Sequence, residues 1–600
     1  MGPALEAANV PVESMPVDRR VVVISLLAIA LAGLAGVVAQ GLMRLIFLIT
    51  NLSFHHTFSF RHATPMGHHL GLWVILVPVI GGLLVGMMAR YGSKAIRGHG
   101  IPEAMEQVLL HQSRIPARMT FLKPLSAAIA IGTGGPFGAE GPIIATGGAM
   151  GSLIGQLIPT TASERKTLLA AGAAAGMAAT FGSPVSAVLI SIELLLFEFR
   201  ARSIIPVALA SATAAGVRWA FEGSHAVFPM PDLVQPGGEA LALYILIGAV
   251  IGLISVVVTR MVYAIEDAFE HLPIHWMWWP AIGGVAVGAV GYFFPRTLGV
   301  GYDNISDIIS GNLLIGAVGS LALWKFVSWS ISLGSGTSGG TLAPLFTIGG
   351  AIGLLLGAGA MTLFPAAQLD VRIAALVGMA AIFAGASRAL LTSAVFAFET
   401  TLQPLGLLPL LGGCTASFLV SSLLMRHTIM TEKIARRGVR VPAEYEADFL
   451  DQVLVREVAS KSLSTLSGQQ TVAQVRQWIA SHAPGSQHQG FPVLDERQIL
   501  AGILTRRTLL DPALPADQPI ARLINRPPTV VYDDNTLRAA ADHMVKHDIG
   551  RLPVIERSTG RLIAMITRSD LLGAHRRRLR EHTEAAVSLP WARGRATRAG

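Results

Sequence analysis

The chain has 600 residues, of which 52% are hydrophobic and only 14% are charged, and its mean hydropathy is +0.56. A soluble protein of this size carries about 25% charged residues, so this composition excludes an ordinary soluble enzyme and indicates a chain mostly embedded in a membrane. The net charge of +9 does not indicate nucleic-acid binding, because basic clusters beside apolar segments are typical of the cytoplasmic ends of membrane helices.

The first 20 residues are predicted to form a cytoplasmic segment without regular structure. Arg19 and Arg20 precede an apolar stretch from 21 to 49, which places the N-terminus in the cytoplasm. The apolar core of a signal peptide spans only about 7–15 residues, so we expect this longer stretch to be a retained membrane helix. The loop from 51 to 69 carries five histidines, but their spacing fits no standard metal site, and we expect a solvated loop.

Apolar segments continue to about Arg437, and their lengths are uneven. The segment 240–262 is long, whereas 124–133, 141–158 and 184–196 are short and are interrupted by glycine or proline. Interrupted helices are tolerated in lipid only where the freed backbone groups line a cavity or are buried in protein. We therefore expect the short segments to lie inside the bundle, beside a permeation path.

Two signatures recur at a fixed distance along the chain. GTGGPFGAEGP at 132–142 is matched 202 residues later by GSGTSGGTLAP at 334–344, and GMAATF at 176–181 is matched at the same distance by GMAAIF at 378–383. This repetition predicts a duplicated membrane bundle with repeats at about 21–225 and 238–437. Helix starts expose unpaired N–H groups and the positive end of a helix dipole, so two such starts that meet inside a membrane predict an anion site.

Beyond residue 437 the chain becomes charged and repeats internally. GFPVLDERQILAGILTRRTLL at 490–510 is matched by GRLPVIERSTGRLIAMITRSDLL at 550–572. Each copy is typical of a strand, a turn, a second strand and the start of a helix. The sequence therefore predicts two α/β modules at 451–513 and 518–575, followed by a basic tail at 576–600.

Four motifs in the apolar region carry a family resemblance. They are GHGIPEA from Gly98, GAEGP from Gly138, FGSPVSAVLISIE from Phe181 and GSGTSGGTLAP from Gly334. In this order they resemble the CLC family of chloride channels and chloride/proton exchangers, over roughly residues 20–437, and the α/β modules resemble the paired CBS domains of many members. The resemblance implies an all-α polytopic membrane protein with a CLC-type inverted repeat of broken helices and a cytoplasmic α/β CBS-pair domain. It also implies a homodimer with one anion pathway per subunit.

Residue by residue, the resemblance assigns the gate to Glu140, whose carboxylate can occupy an anion site at a helix start until protonation removes its charge. His99 stands where the family has a serine that contacts the central anion. Either the imidazole binds the anion in a pH-dependent way, or it turns away and backbone N–H groups suffice. The positions that the resemblance assigns to anion binding are His99, Gly138, Ala139, Thr341, Leu342 and Met430.

Two departures from the family pattern bear on proton coupling. Leu194 stands where exchangers have an internal proton-transfer glutamate, and Met430 stands where the family has a tyrosine that closes the inner end of the pathway. The neighbouring Glu193 is either a proton relay or a helix-end carboxylate. We therefore expect a chloride channel that is gated by voltage or pH through Glu140 and is weakly or not coupled to protons.

The sequence leaves two other functions open. A chloride/proton antiporter is the first alternative, because water chains can replace a proton residue. A CBS-linked divalent-cation channel is more distant, because helix N-termini have the wrong sign for a cation. No persuasive pairing of a nucleophile with a base, or of metal ligands, points to an enzyme, so we expect no catalysis and no metal.

The second CBS copy carries Thr567 and Asp570, the pattern with which CBS domains bind a nucleotide ribose, whereas the first copy has Thr508 in place of the aspartate. An adenine nucleotide is thus the one cofactor candidate, against a module that only strengthens the dimer. The expected partners are chloride or another small anion, membrane lipid and a second copy of the chain, without nucleic acid. We expect a multi-pass protein of a bacterial inner membrane with both termini cytoplasmic.

Overall fold

The computed structural model describes residues 8–11, 17–439, 441 and 449–587. The chain divides into two compact units. One unit comprises Pro16–Tyr445 and contains the apolar helices, and the other combines Met1–Met15 with Glu446–Gly600. The predicted order of an apolar helical domain followed by an α/β module is therefore confirmed, with the N-terminal residues belonging to the second of these units.

Within the described residues, the apolar unit contains two sets of eight α-helices and a short helix after them. The first set is α1 (Arg19–Thr50), α2 (Leu76–Tyr91), α3 (Ile101–Leu110), α4 (Met119–Gly132), α5 (Glu140–Leu157), α6 (Ala162–Phe181), α7 (Pro184–Ser191) and α8 (Ala201–Glu222). The second set is α9 (Gly238–Glu270), α10 (Trp279–Phe293), α11 (Tyr302–Ser310), α12 (Ile315–Gly334), α13 (Leu342–Leu363), α14 (Val371–Ser387), α15 (Leu390–Thr401) and α16 (Leu407–Leu424), and α17 (Glu432–Arg436) follows.

The helices that follow the glycine-rich signatures begin at nearly the same interval in the two sets. The helices α3 and α11 begin 201 residues apart, and α5 and α13 begin 202 residues apart. Seven helical stretches in the described part of the chain are long and apolar enough to cross a membrane, whereas α4, α7, α14 and α15 are shorter apolar helices. The duplication and the uneven helix lengths therefore agree with the sequence pattern.

Both sets use glycine for close packing at their centres. A Cβ on either Gly147 or Gly172 would lie 2.1 Å from the carbonyl oxygen of the other residue, so α5 and α6 contact through their backbones. Gly349 and Gly378 bring α13 and α14 together in the same way, with corresponding distances of 2.4 and 2.3 Å. Small residues allow this approach between membrane helices, where lipid offers no hydrophobic driving force for association.

In its described residues, the α/β unit contains two three-stranded sheets of identical topology. In each sheet the first strand is parallel to the second, and the second is antiparallel to the third, with a bulge near the end of that ladder. The strands are β1 (Leu466–Ser467), β2 (Gly490–Leu494), β3 (Leu500–Thr505), β4 (Val531–Tyr532), β5 (Arg551–Ile555) and β6 (Leu562–Thr567). The helices are α18 (Phe449–Gln452), α19 (Val455–Val458), α20 (Val472–Ala480), α21 (Arg506–Leu509), α22 (Leu537–Lys546) and α23 (Arg568–Val587).

Two boundaries of this unit differ from the predicted ones. Val455 is buried in the apolar core of the second module, and Ser460 exchanges two backbone hydrogen bonds with Met565. The start of the segment 451–513 therefore belongs to the second module. The sequence does not indicate this, because pairing between segments so far apart along the chain leaves no local pattern. The helix α23 continues past residue 575 to Val587, so the beginning of the predicted basic tail is helical, and 588–600 lie outside the described residues.

Residues 8–11, which we expected to lack regular structure, pair with the second module. The N–H of Asn9 donates to the Pro528 carbonyl at 3.1 Å, and the Asn9 carbonyl accepts from the Val530 N–H at 3.0 Å. The Nε2 atom of His543 lies 3.0 Å from the same carbonyl oxygen, 534 residues along the chain. A partner so distant in sequence gives the N-terminal residues no local signal of structure.

Acidification is expected to weaken this pairing. Burial lowers the pKa of His543, and the nearby His547 and Lys546 act in the same direction, while the Asn9 carbonyl opposes them. The unfolded chain therefore binds a proton at His543 more readily than the folded chain does. The stability contribution is present above about pH 6.5 and is lost as the pH falls below that value. Hydrogen exchange of the full chain, corrected for intrinsic rates, should show less protection of residues 8–11 and α22 at pH 5.5 than at pH 7.5.

The matched control is His543→Gln, which keeps a donor for the Asn9 carbonyl without a titratable ring. We expect the extra exchange at pH 5.5 to disappear in this variant. The same loss of protection in His543→Gln would mean that another group carries the pH dependence.

Candidate functional site

Three glycine-rich segments converge at one place in the apolar unit. Gly98, in the loop before α3, donates its N–H to the Thr337 carbonyl at 3.2 Å and forms a backbone bridge with Ser338. Gly138, just before α5, and Gly340, just before α13, exchange two backbone hydrogen bonds of 3.2 and 2.9 Å. The starts of α3, α5 and α13 therefore meet.

This convergence leaves no room for side chains at its glycines. A Cβ on Gly141 would lie 1.9 Å from the His99 carbonyl oxygen and 3.2 Å from the Gly340 Cα. A Cβ on Gly340 would lie 2.6 Å from the Gly138 carbonyl oxygen. The N–H of Gly138, which the sequence analysis assigned to an anion, is donated to Gly340 instead, because the two loops pair as a short antiparallel bridge.

Glu140 is the first residue of α5, and only 1% of it is exposed. Its Oε1 accepts a hydrogen bond of 3.1 Å from the hydroxyl of Tyr302, the first residue of α11. Its carboxyl also hydrogen-bonds the backbone N–H groups of Glu140 and of Ala343, the second residue of α13, and its Oε2 lies beside the backbones of Gly138 and Gly340. The carboxyl thus sits between the starts of α5 and α13, where the helix dipoles favour negative charge.

The remaining predicted amide donors lie at the same two helix starts. The first helical hydrogen bond of α5 runs from Ile143 to Ala139, and that of α13 runs from Leu345 to Thr341. The earlier N–H groups of each helix, including that of Leu342, therefore have no acceptor within their own helix. Ala139, Thr341 and Leu342 are all buried, and the Ala139 backbone hydrogen-bonds the Tyr302 hydroxyl. A dehydrated anion is the kind of ligand that could satisfy the N–H groups of Thr341 and Leu342.

Two buried lysines, which the sequence analysis missed, add positive charge to this region. The Lys123 ammonium donates to two carbonyls of the loop before α3, at 2.8 and 2.9 Å. The Lys325 ammonium donates to two carbonyls of the loop before α11, at 2.9 and 3.1 Å, and its field reaches the Glu140 carboxyl. The two lysines are 202 residues apart, and this interval, which the glycine signatures share, is the signal that could have identified them.

His99 lies beside the segment that contains Met430. Its imidazole hydrogen-bonds the Ile429 backbone, while Nδ1 has no partner in the described part of the chain. Met430 is completely buried, and the Tyr263 hydroxyl donates to the Ile429 carbonyl at 2.8 Å. The structure thus brings the two substituted positions together, and Tyr263 supplies a hydroxyl next to a methionine that has none.

Glu193 and Glu399 each cap a broken helix of the other repeat. Glu193, in the turn that ends α7, accepts two N–H groups at the start of α15, both at 3.1 Å, and the Thr392 hydroxyl at 2.6 Å. Glu399, near the end of α15, accepts two N–H groups at the start of α7, at 2.9 and 2.8 Å. These carboxylates satisfy N–H groups that have no helical acceptor, and this is the geometry expected of a helix-end carboxylate at Glu193.

The two CBS residues singled out from the sequence are in direct contact. The Asp570 Oδ2 accepts hydrogen bonds from the Thr567 N–H at 2.8 Å and from the Thr567 hydroxyl at 2.7 Å, at the start of α23. The corresponding turn of the first module holds Thr505 and Thr508, whose hydroxyls are 2.8 Å apart. The turn of the second module therefore carries a carboxylate, whereas the corresponding position of the first module is a threonine.

Comparison with known proteins agrees with this geometry. A family model described as "Voltage gated chloride channel" matches residues 80–422, and a CBS-domain model matches residues 520–577. Chloride channel protein CLC-f of Arabidopsis thaliana is 28% identical over 579 residues, which cover 83% of this chain and 72% of that protein. The H(+)/Cl(-) exchange transporter ClcA of Vibrio parahaemolyticus is 30% identical over 392 residues, which cover 62% of this chain and 82% of that protein.

Solved structures share the fold. A slow cyanobacterial Cl−/H+ antiporter matches with a TM-score of 0.63 at 22% identity, covering 70% of this chain and 98% of its own. A eukaryotic CLC transporter matches with a TM-score of 0.56 at 22% identity, covering 91% of this chain and 98% of its own. The predicted fold class is confirmed by these matches. The chain belongs to the voltage-gated chloride channel family, the CLC family of anion-transporting, multi-pass membrane proteins, and it carries C-terminal CBS domains.

Proposed function

We propose that this chain is a chloride channel whose pathway opens when the Glu140 carboxyl leaves the space between the starts of α5 and α13. The observation that carries the proposal is the position of that buried carboxyl at two helix starts. A chloride ion is favoured at the same place by the same N–H groups and dipoles. The carboxylate and the anion therefore compete, and protonation of Glu140 removes the competitor.

Three positions that the family resemblance places along the pathway support the proposal of weak or absent proton coupling. Leu194 is buried and carries no proton, and the carboxylate of Glu193 is engaged at the start of α15. Met430 lacks the hydroxyl of the family's tyrosine. Position 194, where exchangers of the family have the internal proton-transfer glutamate, therefore offers no side chain that could pass protons to Glu140.

The proposal is tested by reconstituting the protein in liposomes with a chloride gradient and recording chloride and pH together. A channel releases chloride without moving protons against their gradient. Uphill proton movement driven by chloride would overturn the channel assignment. Liposomes without protein control for leak.

An antiporter is the second candidate, and the name of the Vibrio relative, an H(+)/Cl(-) exchange transporter, favours it. In that case the liposome experiment gives a fixed ratio of chloride to protons. A divalent-cation channel is disfavoured because Lys123 and Lys325 are buried beside the helix starts and repel cations.

We also propose a homodimer in a bacterial inner membrane, surrounded by lipid and with both termini cytoplasmic. The apolar surfaces of α7, α8, α15 and α16 include exposed large side chains such as Leu209, Leu391 and Leu408, which lipid or a second copy would cover. Mass measurement in detergent distinguishes one copy from two.

We further propose that the CBS pair binds one adenine nucleotide per chain through Asp570, whose carboxylate can accept both ribose hydroxyls. Asp570→Asn is expected to weaken binding of labelled ATP at least about tenfold, the cost of replacing a charged acceptor. Thr508→Ala in the first module is the matched control and should bind as the original chain does. Equal binding by the original chain and Asp570→Asn would leave the module with a role in dimer stability alone.

A further inference from the structure

In the described part of the chain, Tyr302 is the residue whose side chain hydrogen-bonds Glu140, the candidate gate. Its hydroxyl donates to the Glu140 Oε1 at 3.1 Å, and the Ala139 backbone hydrogen-bonds the same hydroxyl. The phenol therefore lies at the start of α5, between an amide donor and the carboxylate. The glycine before it, Gly301, has a φ of +79°, a left-handed conformation that favours glycine and that directs the chain into α11 with Tyr302 as its first residue.

Aromatic packing fixes the orientation of this ring. Phe181, at the end of α6, contacts the Tyr302 ring edge-to-face with centroids 5.7 Å apart, and Phe228 does so at 6.0 Å. Both phenylalanines are buried. Such pairs hold a preferred geometry, so the hydroxyl is held toward Glu140 at little further cost in side-chain entropy.

Few charged or titratable groups share this environment. The side chains that act on the Glu140 carboxyl are Tyr302 on α11, through its hydrogen bond, and Lys325 on α12, through its charge. Lys325 already donates to two carbonyls before α11, so the side-chain hydrogen bond to the carboxylate comes from the neutral phenol, in addition to those from the Glu140 and Ala343 backbones. Tyr302 also lines a pocket whose other titratable residues are His62, Arg296 and Asp303.

We propose that Tyr302 is a positioning residue that holds the charged Glu140 in the pathway and thereby sets the pH at which the gate opens. This inference rests on the proposed function of Glu140. A hydrogen bond donated to a carboxylate stabilises its charged form more than its neutral form. Loss of the Tyr302 hydroxyl therefore lets the gate open at a lower proton concentration.

The test measures chloride efflux from liposomes between pH 4.5 and 8.5 for the full-length protein. Tyr302→Phe keeps the ring and its contacts and removes only the hydroxyl. The half-maximal efflux is expected to move to higher pH by about one unit, since a hydrogen bond to a charged group is worth about 1.5–3 kcal/mol and one pH unit corresponds to about 1.4 kcal/mol. Tyr244→Phe is the matched control, because the Tyr244 hydroxyl is bonded to the Asp370 backbone away from the gate, and its profile should match that of the original chain.

A double variant separates action through Glu140 from a general effect. In the Glu140→Gln background, Tyr302→Phe is expected to change efflux less than twofold at every pH, because the charged acceptor is gone. An unchanged profile for Tyr302→Phe alone, an equal shift in Tyr244→Phe, or a full effect of Tyr302→Phe in the Glu140→Gln background would each overturn the role of Tyr302. A pH profile of Glu140→Gln identical to that of the original chain would instead overturn the gate itself, and the inference with it.

Discussion

Glu140→Gln is expected to raise chloride flux at pH 7.5 by at least about tenfold and to abolish the pH dependence of the flux. The glutamine side chain has nearly the same shape but no charge, so it loses the attraction of the helix starts and of Lys325 and the charge-assisted hydrogen bond from Tyr302. A hydrogen bond to a charged group is worth about 1.5–3 kcal/mol, and about 1.4 kcal/mol corresponds to a factor of ten. Efflux from liposomes as a function of pH is the measurement.

Glu239→Gln is a suitable control for this prediction. Glu239 also lies in the first turn of an apolar helix, α9, but its side chain is exposed. Its replacement should leave both the flux and the pH profile unchanged. A flux in Glu140→Gln that is still reduced by alkaline pH would show that another group closes the pathway.

Gly141→Ala is expected to abolish transport and to destabilise the apolar unit by about 3 kcal/mol or more. The added Cβ would lie 1.9 Å from the His99 carbonyl oxygen, and both groups belong to the backbones of converging segments, so neither can rotate away. Relief of the clash must separate the start of α3 from α5 and disrupt the pairing with Gly340. Thermal unfolding in detergent and chloride efflux measure the two effects.

Gly148→Ala, on the same helix, is the matched control. The nearest atoms to an added Cβ belong to Leu169 and lie at 3.5 Å or more, which is ordinary contact. Alanine also favours the helical state over glycine by about 1 kcal/mol, so stability should be retained or slightly increased. Equal loss of transport in both variants would mean that α5 tolerates an added Cβ at neither glycine, and the close contact of Gly141 with His99 would lose its special role.

The repeat could be predicted from the sequence because the two halves carry matching glycines at a constant interval. Gly138 and Gly340, 202 residues apart, are the residues that pair across the two halves. The short interrupted segments were also recognisable, because proline and glycine restrict helices in a way that does not depend on distant contacts. The family motifs then identified Glu140 as a candidate, and the structure adds its buried position and its contact with Tyr302.

Contacts between distant segments were not readable from the sequence. The pairing of Asn9 with Val530 and the phenol of Tyr302 at Glu140 depend on tertiary placement, and neither leaves a local pattern. The Gly138 amide was assigned to an anion because the resemblance marks positions and does not reveal which amides the backbone pairing consumes. Glu193 illustrates the same limit, since a carboxylate beside a proton-transfer position could be recognised as a helix cap only once α15 was seen to begin there.

Competition between the Glu140 carboxylate and chloride for one site is the central claim, and equilibrium chloride binding tests it most directly. Titration calorimetry at pH 7.5 compares the original chain with Glu140→Gln in the same detergent. We expect Glu140→Gln to bind chloride at least about tenfold more tightly, because the tethered competitor has lost its charge. Equal affinity in the two proteins would contradict the claim, since it would mean that the carboxylate and the anion do not share the space between α5 and α13.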